Sequence, residues 1–250
     1  MSQLSDYLQW LNSDRRIREM HFKTNLFLAK IRGKFSYLRQ QGLSELLQFV
    51  KELREENLRF FLRLQDVEEE NAAFVIFECV LNPLMQSGGT LTKEHVQEIL
   101  IALELLQGLC LIHFPSKNVA QDNKAIQMLL DVLDNNATPN LQVAAIDALL
   151  SILVDSPILQ KMFREIKGIH RVTALLRSKT AKKEVRSKCA EFLVFLIRYF
   201  ASEAAENKKK VVAILGDRLT NLLTQSVQLN PTKEKGEKFD SFIRELDKLS

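Results

Sequence analysis

The sequence predicts an all-α chain built on a repeated helical unit, and three observations carry that prediction. Leucine dominates the 250 residues, and apolar side chains recur at spacings of three and four, the period of one helix face. Eight Gly and five Pro are too few turn-formers for an all-β or doubly wound fold. Finally, segments about 43 residues apart match one another, and a period near forty is the signature of a helical solenoid.

The N-terminal third is the least regular. "SDYLQWLNS", "IREMHFKTNLFLAKIRGKF", "GLSELLQFVKELREENLRFFLRLQD" and "NAAFVIFECVLNPLMQ" read as helices capping a stack over residues 1–85. "EEEN", Glu68–Asn71, reads as a helix N-terminus favoured by the dipole. Gln86–Thr90, "QSGGT", reads as a mobile loop.

Three units then cover residues 92–200. "LQVAAIDALLSIL" (Leu141–Leu153) aligns with "VRSKCAEFLVFLI" (Val185–Ile197), placing Ala145 on Cys189, Asp147 on Glu191 and Leu149 on Leu193. The helices before them put Ile126 on Ile169 and Leu133 on Leu176. One repeat earlier, Ala145 meets Ala102 and Leu149 meets Leu106. Thr138-Pro139 and Ser156-Pro157 each place an N-cap before a proline at the first helical position. Gly168 is expected to end one helix in a left-handed conformation so that the next can turn sharply. Short, middle and long helices in succession give the armadillo arrangement, a right-handed superhelix in which each triplet needs its neighbours to bury its apolar face. One further amphipathic helix spans 206–229, completing a single domain over residues 1–229. Residues 230–250 read as a polar linker and a short amphipathic tail with Phe239, Phe242, Ile243, Leu246 and Leu249 on one face, which either packs back on the stack or serves as a partner-binding helix.

A hydrophobic fraction of 46% and a charged fraction of 26% are those of an ordinary globular chain. No signal core opens the sequence and no run of about 18 uncharged apolar residues occurs, so no membrane insertion is expected. Cys79, Cys110 and Cys189 are far apart, odd in number and embedded in apolar runs. That argues against a zinc site or a disulfide framework and for a reduced, cytosolic setting. No phosphate-binding, zinc-protease or nucleophile-elbow motif is present, so no cofactor, metal or small-molecule substrate is expected.

The one stretch that invites a chemical reading is "LELLQGLCLIHFPSK", Leu103–Lys117, with Cys110, His113 and Ser116 close together. Leu106, Leu109, Cys110 and His113 share one helix face, which is where a core cysteine sits. Cysteine-dependent phosphatases need an arginine six residues after the nucleophile, and here that position is Ser116, Met85 or Phe195. His113 is expected to be a hydrogen-bonded core or cap residue, and Ser116 the N-cap of the next helix. Gly108 is expected to let a neighbouring helix approach closely.

Charge is unevenly spread. Residues 161–188 hold ten Lys or Arg against Glu165 and Glu184, whereas residues 52–78 hold eight acidic residues against three arginines. The basic stripe could be a solvated helix face, could meet an acidic protein, or could serve a helical-repeat nucleic-acid-binding protein, although it lacks aromatic interleaving for stacking on bases. Lys182, Lys183 and Arg186 gather at a helix N-terminus, where the dipole is already positive. Either an acidic partner docks there or these are solubilising loop residues. Arg171, Arg198 and Tyr199 complete the candidate partner-binding set, and "EFLVFLIRYF", Glu191–Phe200, is expected to be mostly buried.

"FFLRLQD" (Phe60–Asp66), "LELLQGLCLIHFPSK", "MLLDVLD" and the run from Phe163 to Phe200 resemble the fungal cell division control protein 14 family. This is the septation initiation network component, distinct from the phosphatase that shares its name. The resemblance runs from about Phe60 to Leu229, and nothing is carried over to the residues before Phe60. It implies an armadillo-like, non-enzymatic protein. It also implies a complex with a germinal-centre-type protein kinase, supporting that kinase's activity and its placement at the spindle pole body. The third helices lack the Trp and Asn ladder by which nuclear-import receptors resemble one another, which disfavours capture of an extended peptide.

Overall fold

The computed structural model describes residues 2–86, 91–134, 137–200, 203–226 and 233–248, with side chains described throughout except at residues 2–13, 86 and 233–238. The expected loop at Gln86–Thr90 and the contribution of Leu249 therefore lie outside the described side chains. Among the described residues the secondary structure is helical, with no strand, as the apolar periodicity requires. The chain divides into two compact units, Met1–Asn123 and Lys124–Ser250. The boundary falls between the short and middle helices of the second expected unit, within what the sequence reads as one domain to residue 229.

In the N-terminal unit the helices divide differently from the sequence reading. The first two expected helices form one, α1 (Ser2–Ile31). The third expected helix is broken into α2 (Ser36–Lys51) and α3 (Glu55–Gln65). Glu55 and Glu56 open α3, where carboxylates favour a new N-terminus over continuation of the old helix. After a 3₁₀ turn at Glu68–Glu70, the Asn71 side chain accepts from the Phe74 amide at 3.0 Å and caps α4 (Ala72–Ile76). A π turn at Phe77–Leu81 separates α4 from α5 (Asn82–Gln86). Pro83 donates no hydrogen bond and crowds the carbonyl four residues back, and the widened turn falls where that conflict lies.

The core of this unit is α6 (Lys93–Ile112), which packs against α2 and α4 and is followed by α7 (Pro115–Asp122). By length and composition α6 could cross a membrane. Its Ile99, Ala102, Leu103, Leu106 and Leu109 are buried in the unit, and its Glu98 is ion-paired to Arg39.

Two glycines show what the sequence hides. A Cβ on Gly42 would lie 2.8 Å from both the Phe27 carbonyl oxygen and Lys30 Cβ, so α1 and α2 touch there only because the side chain is absent. A Cβ on Gly108 would meet nothing within 4 Å, so the expected close helix contact at that glycine does not exist. Gly42→Ala should therefore cost about 1–3 kcal/mol by overpacking. Gly108→Ala should gain up to about 1 kcal/mol from helix propensity. Urea midpoints that moved in the same direction for both variants would contradict this assignment.

In the C-terminal unit, helices that the 43- and 44-residue offsets align also pack on one another. The helices are α8 (Ala125–Asp134), α9 (Pro139–Leu153), α10 (Pro157–Glu165), α11 (Gly168–Arg177) and α12 (Lys183–Arg198). Middle helix α11 lies on α8, and long helix α12 lies on α9. Lys188 of α12 reaches both Asp147 (3.1 Å) and Glu191 (3.4 Å), the two acids that the 44-residue offset superposes. Burial works against the charge on Lys188, but the two carboxylates outweigh it and raise its pKa. The backbone repeats as well: Lys124 and Lys167, 43 apart, both have positive φ just before the middle helix.

Lys167, not Gly168, is thus the left-handed residue. Gly168 is needed for a different reason, because a Cβ there would overlap the Phe163 ring. That ring sits edge-on to Phe192 with centroids 5.6 Å apart, joining α10 to α12. Thr138 and Ser156 occupy the expected N-cap positions before proline, but neither side chain makes the capping bond.

The expected single helix over 206–229 is two, α13 (Ala204–Leu215) and α14 (Asp217–Ser226), because Gly216 turns the chain at φ 81°. The expected linker is partly helical, since α15 runs from Lys233 to Lys248. The tail packs back: Phe239, Phe242 and Leu246 are buried, with α15 lying on α14.

Candidate functional site

Cys110, His113 and Ser116 end in an arrangement that resembles a hydrolytic triad by distance alone. His113 leaves α6 in an extended conformation, which turns its ring between two partners. Nδ1 lies 2.9 Å from Ser116 Oγ, and Nε2 lies 3.1 Å from Asp66 Oδ1 at the C-terminal end of α3. Ser116 is not the expected N-cap of α7. It is the second residue of that helix, behind Pro115, and its hydroxyl is committed to His113.

Burial closes the line to substrate. Ser116 is 0% exposed, whereas Asp66 at the other end keeps 63% of its side chain in solvent. A triad hydrolase needs the opposite arrangement, with the nucleophile facing the substrate and the carboxylate buried behind the histidine. Backbone donors that might stabilise an oxyanion are already used: the Ser116 amide donates to the His113 carbonyl and the Lys117 amide to Phe114. What the three residues do is tie the end of α3 to the α6–α7 corner.

The cysteines are free and poorly activated. Burial pushes Cys110 and Cys189 up to about 12, and burial together with Glu78 raises Cys79. In the native chain at pH 8, Cys110 and Cys189 should resist Ellman's reagent until denaturant is added, with half-buried Cys79 reacting first. Immediate stoichiometric reaction of all three would contradict this burial. Among the described residues no group of three His, Cys, Asp or Glu side chains is placed to hold a metal ion.

The partner-binding candidates fare unevenly. Arg171 lies between α8 and α11, with Nη2 at 2.7 Å from Asp131 and 2.6 Å from Asp134. Burial opposes its charge and the two carboxylates raise its pKa above the ordinary value. It lines an open groove of about 600 Å³ with Gln127, Lys167 and His170. Arg198 donates to the Thr224 carbonyl. Tyr199 is 48% exposed and leans on Phe195 with centroids 5.1 Å apart. The rest of Glu191–Phe200 is largely buried, as expected.

The basic cluster at the start of α12 is the informative part. Arg186 is only 7% exposed: Nε donates to the Leu176 carbonyl at 2.8 Å, and Nη2 meets Asp247 of α15 at 2.6 Å. Lys183 pairs with Asp240 at 2.6 Å, and Lys182 stays exposed at the N-cap. Arg186 is therefore an internal strut and not a solubilising loop residue. An acidic counterpart does exist, on the chain's own tail. The signal was present in the sequence, since Asp240 and Asp247 are seven apart on the edge of the Phe239–Phe242–Leu246 face. Asp66, 47 residues from His113, carried no such signal.

Together these features define an all-helical protein of internally paired charges, with Cys110, Cys189 and Ser116 buried in its core. The family model for Cell division control protein 14, SIN component, matches residues 26–248, and the chain belongs to that family. The match begins well before Phe60, so it takes in part of α1 as well as all of α15. Cell division control protein 14 of Schizosaccharomyces pombe (strain 972 / ATCC 24843) is 27% identical over 95 residues. That alignment covers 38% of this chain and 40% of the relative, well under half of its length. No solved structure matches the chain.

Proposed function

We propose that this chain is a non-catalytic scaffold that binds a germinal-centre-type protein kinase and supports its activity in septation signalling. In this reading it is an armadillo-like stack with a right-handed superhelix, acting in the cytoplasm and at the spindle pole body. The observation that carries the proposal is the family match over residues 26–248. The stacking of α8 with α11 and of α9 with α12 supports the helical-repeat part, and the sealed Ser116, Cys110 and Cys189 support a role in binding over one in chemistry. The nucleic-acid alternative loses ground. Arg164, Arg171, Lys183, Arg186 and Lys188 of the basic stripe are already paired to carboxylates, leaving fewer cations to displace counterions from phosphates.

Affinity purification of the tagged chain from dividing cells, followed by mass spectrometry, tests the reading. A germinal-centre-type kinase recovered in amounts comparable to the bait supports it. Recovery without any protein kinase, or release of the bound material by nuclease, overturns it.

A further inference from the structure

The C-terminal helix α15 is held by two kinds of contact that together describe a ligand. Phe239, Phe242 and Leu246, at spacings of three and four, bury one apolar face on α14. Along the edge of that face, Asp240 meets Lys183, Asp247 meets Arg186, and Glu245 meets Arg218 at 2.9 Å. The first two cations belong to the opening turn of α12, with Lys182 at its N-cap. Clustered positive charge at a helix N-terminus is unfavourable unless an anion sits against it, and here two carboxylates do. Lys179 adds to the attraction, helping to hold Asp247 below the usual carboxylate range, after the dominant hydrogen bond from Arg186.

Beside α15 lies a groove of about 470 Å³, lined by Arg198, Leu222 and Gln225 and by Ser241 and Phe242 of α15 itself. Removing α15 would strip contacts chiefly from α14, while the α8–α12 packing, which carries the repeat, would stay covered by its own helices.

We propose that the surface formed by the start of α12 and the face of α14 is a docking site for an acidic amphipathic helix of a partner protein, occupied in the isolated chain by α15. A matching helix places apolar side chains where Phe239, Phe242 and Leu246 lie, and carboxylates where Asp240 and Asp247 lie. The tethered copy competes at a high effective concentration, so a partner helix must bind more tightly than α15 does. The inference concerns this surface alone and holds whichever protein supplies the helix, so it can fail while the kinase reading stands.

The probe is a fluorescein-labelled peptide of residues 233–250, titrated by anisotropy into the full chain. Against wild type, the tethered helix should keep binding weak. Against the full-length Asp240→Lys/Asp247→Lys variant, whose own α15 is disarmed, the same peptide should bind at least about tenfold more tightly. A peptide carrying the same two substitutions should not bind. Equal binding to both chains, or binding no better than a scrambled peptide, overturns the proposal. Hydrogen exchange on the wild-type chain decides the matter should the variant misfold. Amides of Phe242–Leu246 should exchange at least about tenfold faster than those of Leu149 and Leu193. Equal protection would mean that α15 opens only when the unit unfolds, and that the site is not available.

Discussion

Arg39→Ala should destabilise the chain by about 3–5 kcal/mol, the largest effect expected of any single charge removal here. Glu98 is 0% exposed in the core helix of the N-terminal unit. Its carboxylate is satisfied by the Arg39 guanidinium, which reaches both oxygens, and by the Ser36 hydroxyl at 2.6 Å. Arg39 also donates to the Lys34 carbonyl at 2.9 Å, so its loss orphans a charge and frees a turn. The Ser36 hydroxyl alone cannot stabilise a buried carboxylate. Arg39→Lys should recover only part of the loss, because a point charge cannot replace a planar fork that bonds both oxygens. Replacing both partners, Arg39→Met with Glu98→Leu, should cost less than Arg39→Ala alone. Urea denaturation followed by circular dichroism measures all three. A loss below about 1 kcal/mol for Arg39→Ala would mean that water reaches Glu98.

Arg186→Glu should cost about 2–3 kcal/mol, less than a fully sealed pair because Asp247 keeps a third of its side chain in solvent. The substitution sets two carboxylates against each other and leaves the Leu176 carbonyl without its donor. Adding Asp247→Arg should restore part of the loss, since the reversed pair can re-form without the Leu176 bond, and a double-mutant cycle isolates that coupling. Acid acts on the same contact. The Arg186 hydrogen bond outweighs the cost of burial and holds Asp247 below its ordinary value of 3.8. The stabilisation is therefore complete above that value and is lost as pH falls through the lower folded-state value. The wild type should lose α15 contacts on acidification, and the Arg186→Glu chain should show no such step.

The sequence revealed those parts of the fold that rest on periodicity. Short, middle and long helices follow one another in the C-terminal unit because Thr138-Pro139, Ser156-Pro157 and the apolar spacing mark their starts, and the 44-residue offset even aligns the two acids that Lys188 joins. Three-dimensional contact decided the rest. Gly42 and Gly108 are alike in sequence, yet one sits under a backbone carbonyl and the other beside open space. The left-handed position expected at Gly168 falls instead on Lys167, while Gly168 stays bare because the Phe163 ring of the preceding helix lies against it. The π turn at Phe77–Leu81 follows from a local conflict at Pro83 that no spacing rule scores. His113 was correctly read as a hydrogen-bonded core or cap residue, but its partner Asp66 comes from a separate helix. Arg186 was legible as part of a basic cluster, although its burial depends on a tail about 60 residues further on.

Isothermal titration of the purified full chain with a purified germinal-centre-type kinase tests the proposed kinase binding most directly. A saturable heat with a defined stoichiometry, accompanied by faster phosphorylation of a model substrate and unaffected by Cys110→Ser, is the predicted result. No heat, unchanged sedimentation of the mixture and unchanged kinase activity at tens of micromolar would contradict it.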